Sequence, residues 1–146
     1  MTENELKELI SKILDLKCET PNIELKKATN GCPENLYDTF SSFSNTSGGV
    51  IIFGIDEKNN YKVVGVENPQ ELQKKATEQS LLMEPVVRPL FTITTYDNKN
   101  VCSLEIPELD SFSKPCYYKG KGKNKGKNKD RKRGNIFGVV IFFKPL

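Results

Sequence analysis

Residues 36–56 read LYDTFSSFSNTSGGVIIFGID, and this stretch decides the fold. Apolar side chains at helical spacing predict a helix over residues 33–46, and the pair Gly48-Gly49 ends it. Its inward side chains are Leu36, Tyr37, Phe40 and Phe43. Residues 50–55 are almost continuously apolar and rich in β-branched side chains, which predicts a central strand covered on both faces.

The segments before residues 36–56 predict one more helix and one more strand. Apolar side chains at i, i+3, i+4 and i+7 predict an amphipathic helix over residues 4–17. They are Leu6, Leu9, Ile10, Ile13 and Leu14. Residues 22–26, NIELK, alternate between apolar and charged side chains as a half-buried strand does. Glu24 and Lys26 should therefore lie on the same face of that strand.

The segments after residue 56 complete a predicted α+β fold. Residues 61–66 should return as a strand against the central strand, and residues 69–83 should form a third helix. Residues 91–96 and 101–106 predict a second hairpin, joined by a four-residue connection. We therefore expect a mixed β-sheet of about five to six strands with three flanking helices.

The distribution of charge divides the chain. Residues 117–134 hold nine basic residues and one acidic residue, which leaves the remainder at −5 although the whole chain carries +3. We interpret residues 1–118 as one domain, residues 119–134 as a basic low-complexity linker and residues 135–146 as an apolar C-terminal segment.

Composition excludes several classes of function. The 146 residues include no histidine, so Ser-His and Cys-His catalytic pairs are excluded. The four cysteines are widely spread, with no zinc-binding spacing, which is typical of reduced thiols in a cytoplasmic protein. No apolar run approaches the roughly 18 residues of a membrane span, and the N-terminal residues lack the pattern of a secretory signal. We expect a cytoplasmic protein with no membrane partner.

Four motifs together resemble a known family. NIELK at residues 22–26, FSNTSGG at 43–49, GID at 54–56 and VVGV at 63–66 resemble the AlbA-like domain of the Schlafen family, over about residues 19–120. The resemblance implies a mixed sheet with flanking helices. It also implies a place at the front of bacterial and archaeal proteins described as DNA-binding transcriptional regulators, whereas vertebrate relatives are implicated in cutting structured RNA.

The leading hypothesis is a nucleic-acid-binding module of a transcriptional regulator, without catalysis and without a cofactor. Lysines neutralise phosphates, and backbone amides at a turn can hydrogen-bond them. The candidate contacts are Lys26, Lys27, Asn45, Thr46, Gly48, Gly49, Lys119, Lys121 and Lys123. The partner would be DNA or RNA. The sequence does not distinguish between the two, and it does not determine the oligomeric state. In a purely structural interpretation, Gly48 allows a left-handed turn and Gly49 allows helix and strand to approach closely.

The alternative hypothesis is a metal-dependent endoribonuclease. In nucleolytic Schlafen proteins three carboxylates provide the active site, and Glu19, Glu24 and Asp56 match their positions. Three such groups can hold Mg²⁺ or Mn²⁺, and Lys26 could neutralise phosphate charge during catalysis. In a purely structural interpretation, Glu19 begins a turn, Glu24 lies on a solvated strand face and Asp56 stabilises the hairpin turn. A third hypothesis is a divergent ATP-binding domain. The sequence contains no phosphate-binding G-x-x-x-x-G-K-[ST] motif, which argues against it.

The resemblance also predicts a change of reading frame near residue 135. The family implies a strand resembling Y-I-R-x-G-D after the basic segment, and no such string is present. Read one base earlier, the codons allowed for residues 134–141 can encode Lys-Tyr-Ile-Arg-Ser-Gly-Asp. The coding DNA tests this prediction, because it must contain a Tyr-Ile-Arg-like reading in that register.

Overall fold

The computed structural model describes residues 1–18 and 20–119. Within them, three α-helices and a mixed four-stranded sheet confirm the predicted α+β class. The observed sheet is narrower than the predicted five to six strands, because two further strand pairs form small sheets of their own. Glu19, Lys121, Lys123 and the predictions for residues 120–146 lie outside the described residues, so the proposed division of the chain stays a prediction.

The elements follow one another in this order. The helices are α1 (Glu3–Leu16), α2 (Tyr37–Asn45) and α3 (Pro69–Ser80), with a 3₁₀ turn at Glu57–Asn59. The strands are β1 (Ile23–Lys26), β2 (Gly49–Phe53), β3 (Ile55–Asp56), β4 (Lys62–Val63), β5 (Met83–Glu84), β6 (Leu90–Tyr96), β7 (Lys99–Ile106) and β8 (Tyr117–Tyr118).

The main sheet has the order β1-β2-β7-β6. Strand β1 runs parallel to β2, whereas β2 with β7 and β7 with β6 are antiparallel. Strand β2 therefore lies inside the sheet, and its side chains Ile51, Ile52 and Phe53 are fully buried. The prediction of a central strand at this place is confirmed.

Two hydrophobic clusters cover the two faces of the sheet. Helix α1 places Leu6 and Ile10 over Ile52 of β2, and Ile23 and Leu25 of β1 pack against the same cluster. The opposite face is covered by residues of α2 and α3 together with loop residues. Because Ile23 and Leu25 face α1, the alternation along β1 turns Glu24 and Lys26 to the other face, as the sequence predicts.

Several element boundaries differ from the predictions: α3 ends at Ser80 instead of residue 83, and β4 is limited to Lys62–Val63. Two of the differences have clear physical reasons. The second helix begins at Tyr37, because residues 34–36 form a turn after Pro33. The second hairpin closes through Asp97 and Asn98 alone, with φ of 50° and 61°. Aspartate and asparagine tolerate this left-handed conformation, so a two-residue turn replaces the predicted four-residue connection.

The glycine pair before β2 has the structural role that its position suggests. Gly48 has φ of +76°, and a Cβ there would lie 2.9 Å from the Ile106 carbonyl oxygen. A Cβ on Gly49 would lie 2.8 Å from ring atoms of Phe43, so the pair permits the tight approach of β2 to α2 and β7.

We expect Gly49→Ala to destabilise the fold by about 1–3 kcal/mol, because the added methyl overlaps the buried Phe43 ring. Denaturant unfolding measures the change in free energy of unfolding. The control is Ser47→Ala, since Ser47 is exposed in the preceding turn. Equal stability of the two variants would show that the ring moves aside without cost.

Candidate nucleic-acid interface

A cleft of about 410 Å³ lies where the end of β1 meets β3. Its charged lining residues are Glu24, Lys26, Lys27, Asp56, Glu57 and Lys58. The Gly54 N–H donates to the Lys26 carbonyl oxygen at 2.9 Å, which fixes the turn between β2 and β3 against the end of β1. This bond places the Lys26-Lys27 pair beside Asp56, although the two segments are far apart in sequence.

Two of the predicted site carboxylates, Glu24 and Asp56, each lie near a lysine. Lys26 Nζ lies 3.9 Å from Glu24 Oε1, and Lys27 Nζ lies 3.8 Å from Asp56 Oδ2. The Lys27 side chain is 56% exposed, and water screens such pairs, which typically contribute about 0–1 kcal/mol. Loss of the Lys27–Asp56 pair would therefore cost the fold little.

Two of the three carboxylates proposed for metal binding line this one cleft. Glu24 and Asp56 offer oxygen donors, which suit a hard divalent cation. Across residues 1–18 and 20–119, no cluster of three or more histidine, cysteine or acidic residues could hold a metal ion. The third predicted carboxylate, Glu19, is outside that part of the chain.

Asn45 is buried inside the protein. Its Nδ2 donates to the Cys116 carbonyl oxygen at 2.9 Å and to Ser41 Oγ at 3.2 Å. Its Oδ1 accepts from the Cys116 N–H at 2.7 Å. The side chain is 4% exposed and holds residues 114–118 against α2, so we give it a structural role.

Thr46 and the glycine pair lie at the opposite end of β2 from the lysine cleft. Because β1 and β2 are parallel, Ile23 pairs with Val50 at one end and Lys26 with Phe53 at the other. The structure therefore does not bring Thr46, Gly48 or Gly49 together with Lys26. The Thr46 hydroxyl donates to the Ser42 carbonyl oxygen at 2.7 Å, and the Gly48 N–H donates to the Phe43 carbonyl oxygen at 2.9 Å.

A second groove, of about 460 Å³, runs beside the glycine pair. It contains the exposed Arg88, a cation that the sequence analysis did not select. No motif surrounds Arg88, so only the fold reveals that it shares a groove with Gly48 and Gly49. Lys119 is exposed after β8, and its N–H donates to the Leu82 carbonyl oxygen at 3.0 Å.

Three of the four thiols, those of Cys32, Cys102 and Cys116, offer no reactive nucleophile. All four cysteines are free. Burial raises the pKa of Cys32 to about 11 and those of Cys102 and Cys116 to about 12. Because only the thiolate is a strong nucleophile, these three side chains are inert at neutral pH.

A family model described as "Schlafen, AlbA_2" matches residues 19–134, which is most of the chain. The chain belongs to the Schlafen AlbA_2 family. This confirms the resemblance that the NIELK, FSNTSGG, GID and VVGV motifs carry. The AlbA_2 match contains the lysine cleft and begins after α1. A search of the curated proteins finds no match.

Two solved structures share the fold of this AlbA_2 domain. The N-terminal domain of a RecG-related, ATP-dependent DNA helicase-type protein from Nitrosomonas europaea has a TM-score of 0.66 and 23% identity, with 92% of this chain and 93% of that chain covered. The DIP2311 protein from Corynebacterium diphtheriae has a TM-score of 0.51 and 15% identity. The match to DIP2311 covers 80% of this chain and 27% of that one.

In the part of the chain that the structure describes, no helix has the length and apolar character needed to cross a bilayer.

Proposed function

We propose that this AlbA_2 domain binds nucleic acid as a module of a transcriptional regulator, without catalysis. The observation that carries the proposal is the pair Lys26-Lys27, which lines an open cleft at the charged edge of the sheet. Family membership supports a role with nucleic acid, as does the name of the RecG-related neighbour.

Local cations must provide the attraction to phosphate, because the domain itself is acidic. Outside residues 117–134 the chain carries a net charge of −5. Long-range attraction therefore comes from the basic segment that begins at Lys119, whereas Lys26 and Lys27 provide contacts at a defined place. We infer that the segment supplies most of the affinity and that the cleft fixes the orientation of the bound strand.

Glu24 and Asp56 oppose phosphate binding in this arrangement. A phosphate near the Lys27 ammonium group meets the negative charge of Asp56, whose oxygen lies 3.8 Å from that group. The carboxylates thus limit the affinity of the cleft for an anion.

Replacing both cleft lysines should weaken binding and identify the surface. We expect Lys26→Gln with Lys27→Gln to reduce affinity about tenfold and to reduce the salt slope by about 2, since two phosphate contacts are lost. The matched control is Lys74→Gln with Lys75→Gln, which removes the same charge from exposed positions on α3. Fluorescence anisotropy with a labelled oligonucleotide measures both. Equal losses for the two double variants would mean that net charge alone acts and would contradict the assignment of the cleft.

A metal-dependent nuclease is the second candidate, because Glu24 and Asp56 line the same cleft. These residues, with Glu19, would hold a divalent cation that supplies polarisation of the phosphate and activation of water. Lys26 would neutralise the charge that develops on the phosphate.

The nuclease candidate predicts a separation of cleavage from binding. Glu24→Gln and Asp56→Asn should each abolish magnesium-dependent cleavage of structured RNA, while binding persists or strengthens because a repelling charge is removed. Gel analysis of a labelled RNA measures cleavage, and Glu78→Gln on α3 is the control. Unchanged cleavage in Glu19→Gln, Glu24→Gln and Asp56→Asn alike would refute this candidate.

A further inference from the structure

The two edges of the main sheet are built differently. Edge strand β1 has four residues and presents Glu24 and Lys26. Edge strand β6 has seven residues, LFTITTY, with neither a charge nor a proline. Its register with β7 runs unbroken from Leu90 to Tyr96, so no bulge interrupts it.

Strand β6 lacks the protection that edge strands usually have. Long, regular and uncharged edges present unpaired backbone groups to other chains, and most proteins interrupt them with lysine, proline or a bulge. Across residues 1–18 and 20–119, β6 pairs with β7 alone. Helix α1 packs against the face of β6, where Ser11 Oγ lies 3.0 Å from Tyr96 Oη.

The geometry of the hairpin shows which backbone groups of β6 point outward. In a two-residue hairpin, the two residues that flank the turn exchange backbone hydrogen bonds with each other. Along the ladder, every second facing pair exchanges such bonds, and the pairs between them do not. Tyr96 and Lys99 flank the turn, so Thr95 and Asn100 form a pair without ladder hydrogen bonds. In agreement, the Asn100 carbonyl oxygen accepts from the Val66 N–H at 2.7 Å. The N–H of Thr95 therefore points away from β7.

We propose that two copies of this chain associate through antiparallel pairing of their β6 strands, which joins two four-stranded sheets into one of eight strands. A twofold axis at Ile93 places Leu90 opposite Tyr96 of the second copy, on the same face. Leu90 is 56% exposed in the single chain, and this pairing buries it against an aromatic ring.

The charges at the two ends of β6 suit this antiparallel arrangement. Exposed Arg88 precedes the strand and exposed Asp97 follows it. An antiparallel copy brings each arginine to the turn that carries the other copy's aspartate, which favours a second copy over an unrelated strand. The β1 edges and their clefts then lie at the two outer ends of the joined sheet, away from the interface.

The test measures the mass of the full chain, freed of nucleic acid, by sedimentation equilibrium over a wide range of concentration. We expect the mass to rise from 16.5 kDa toward twice that value. Thr95→Pro should keep the mass at 16.5 kDa, because proline removes the outward N–H. Thr95→Ala retains the N–H and should associate as the unmodified chain does.

Two further measurements keep the proposal testable if the proline variant unfolds. Hydrogen exchange at the outward amides of Phe91, Ile93 and Thr95 should slow as concentration rises, because pairing protects them, whereas the amides of Thr92 and Thr94 are already bonded to β7. Arg88→Glu should weaken association about tenfold, and adding Asp97→Asn should restore part of the loss, since it removes the new repulsion.

Three outcomes would overturn the proposal. They are a monomer at every concentration, equal association of Thr95→Pro and Thr95→Ala, and slow exchange of the outward amides of Phe91, Ile93 and Thr95 in a monomer. The last outcome would mean that another segment of the same chain, such as residues 136–143, covers the edge. None of these results depends on whether the clefts bind nucleic acid.

Discussion

Replacing the nine basic residues between Lys119 and Arg133 with glutamine or serine should lower the affinity for nucleic acid by about a hundredfold or more at low salt. Each lysine or arginine that neutralises a phosphate releases counterions, so the logarithm of affinity falls with the logarithm of salt concentration in proportion to the contacts made. Nine cations lie in this segment of the chain. The salt slope should therefore flatten far more than in the double variant of Lys26 and Lys27.

A scrambled segment separates charge from sequence in this prediction. The same residues at 119–133 in a different order should bind as the unmodified chain does, because counterion release depends on charge density and not on order. Anisotropy titrations at several salt concentrations give the slopes of all three proteins. An unchanged slope in the neutralised protein would show that the basic segment does not contact phosphate.

Asn45→Ala should destabilise the fold by about 3 kcal/mol, the largest effect on stability that we predict for a single residue. The change leaves the buried Cys116 N–H without its Asn45 partner and removes one of two donors to the Cys116 carbonyl oxygen, which still accepts from Ser41 Oγ at 2.8 Å. A buried polar group without a partner costs about 1–3 kcal/mol, and the lost Asn45 packing and hydrogen bonds add to it. Urea unfolding measures the difference. Asn4→Ala is the control, because Asn4 lies exposed on α1 and should change stability little. A loss below about 1 kcal/mol would contradict the structural role of Asn45.

The elements that sequence predicted best are those whose signals are local. Helix α1, the buried strand β2 and the Gly48-Gly49 pair follow from periodicity and from the conformational freedom of glycine within short windows. The pairing of β5 with β8 had no such signal, because Met83 and Tyr118 meet only through the tertiary fold. Stacking of Tyr118 on Tyr37, with ring centroids 4.5 Å apart, is equally non-local.

The candidate site was predictable only in part, for a related reason. Alternation along β1 predicted that Glu24 and Lys26 share a face, and the structure shows them 3.9 Å apart. The sequence does not reveal that β1 runs parallel to β2. That direction determines that Asp56 lies near Lys27 and that Gly48 lies at the far end of the strand.

Binding of nucleic acid by the unmodified chain tests the central claim most directly. We would titrate the chain into labelled single-stranded DNA, duplex DNA and a structured RNA, with and without magnesium, at several salt concentrations. The account predicts binding to at least one of them, with affinity that falls steeply as salt rises and with the nucleic acid left intact. Absence of binding to all three at the lowest salt concentration would contradict it.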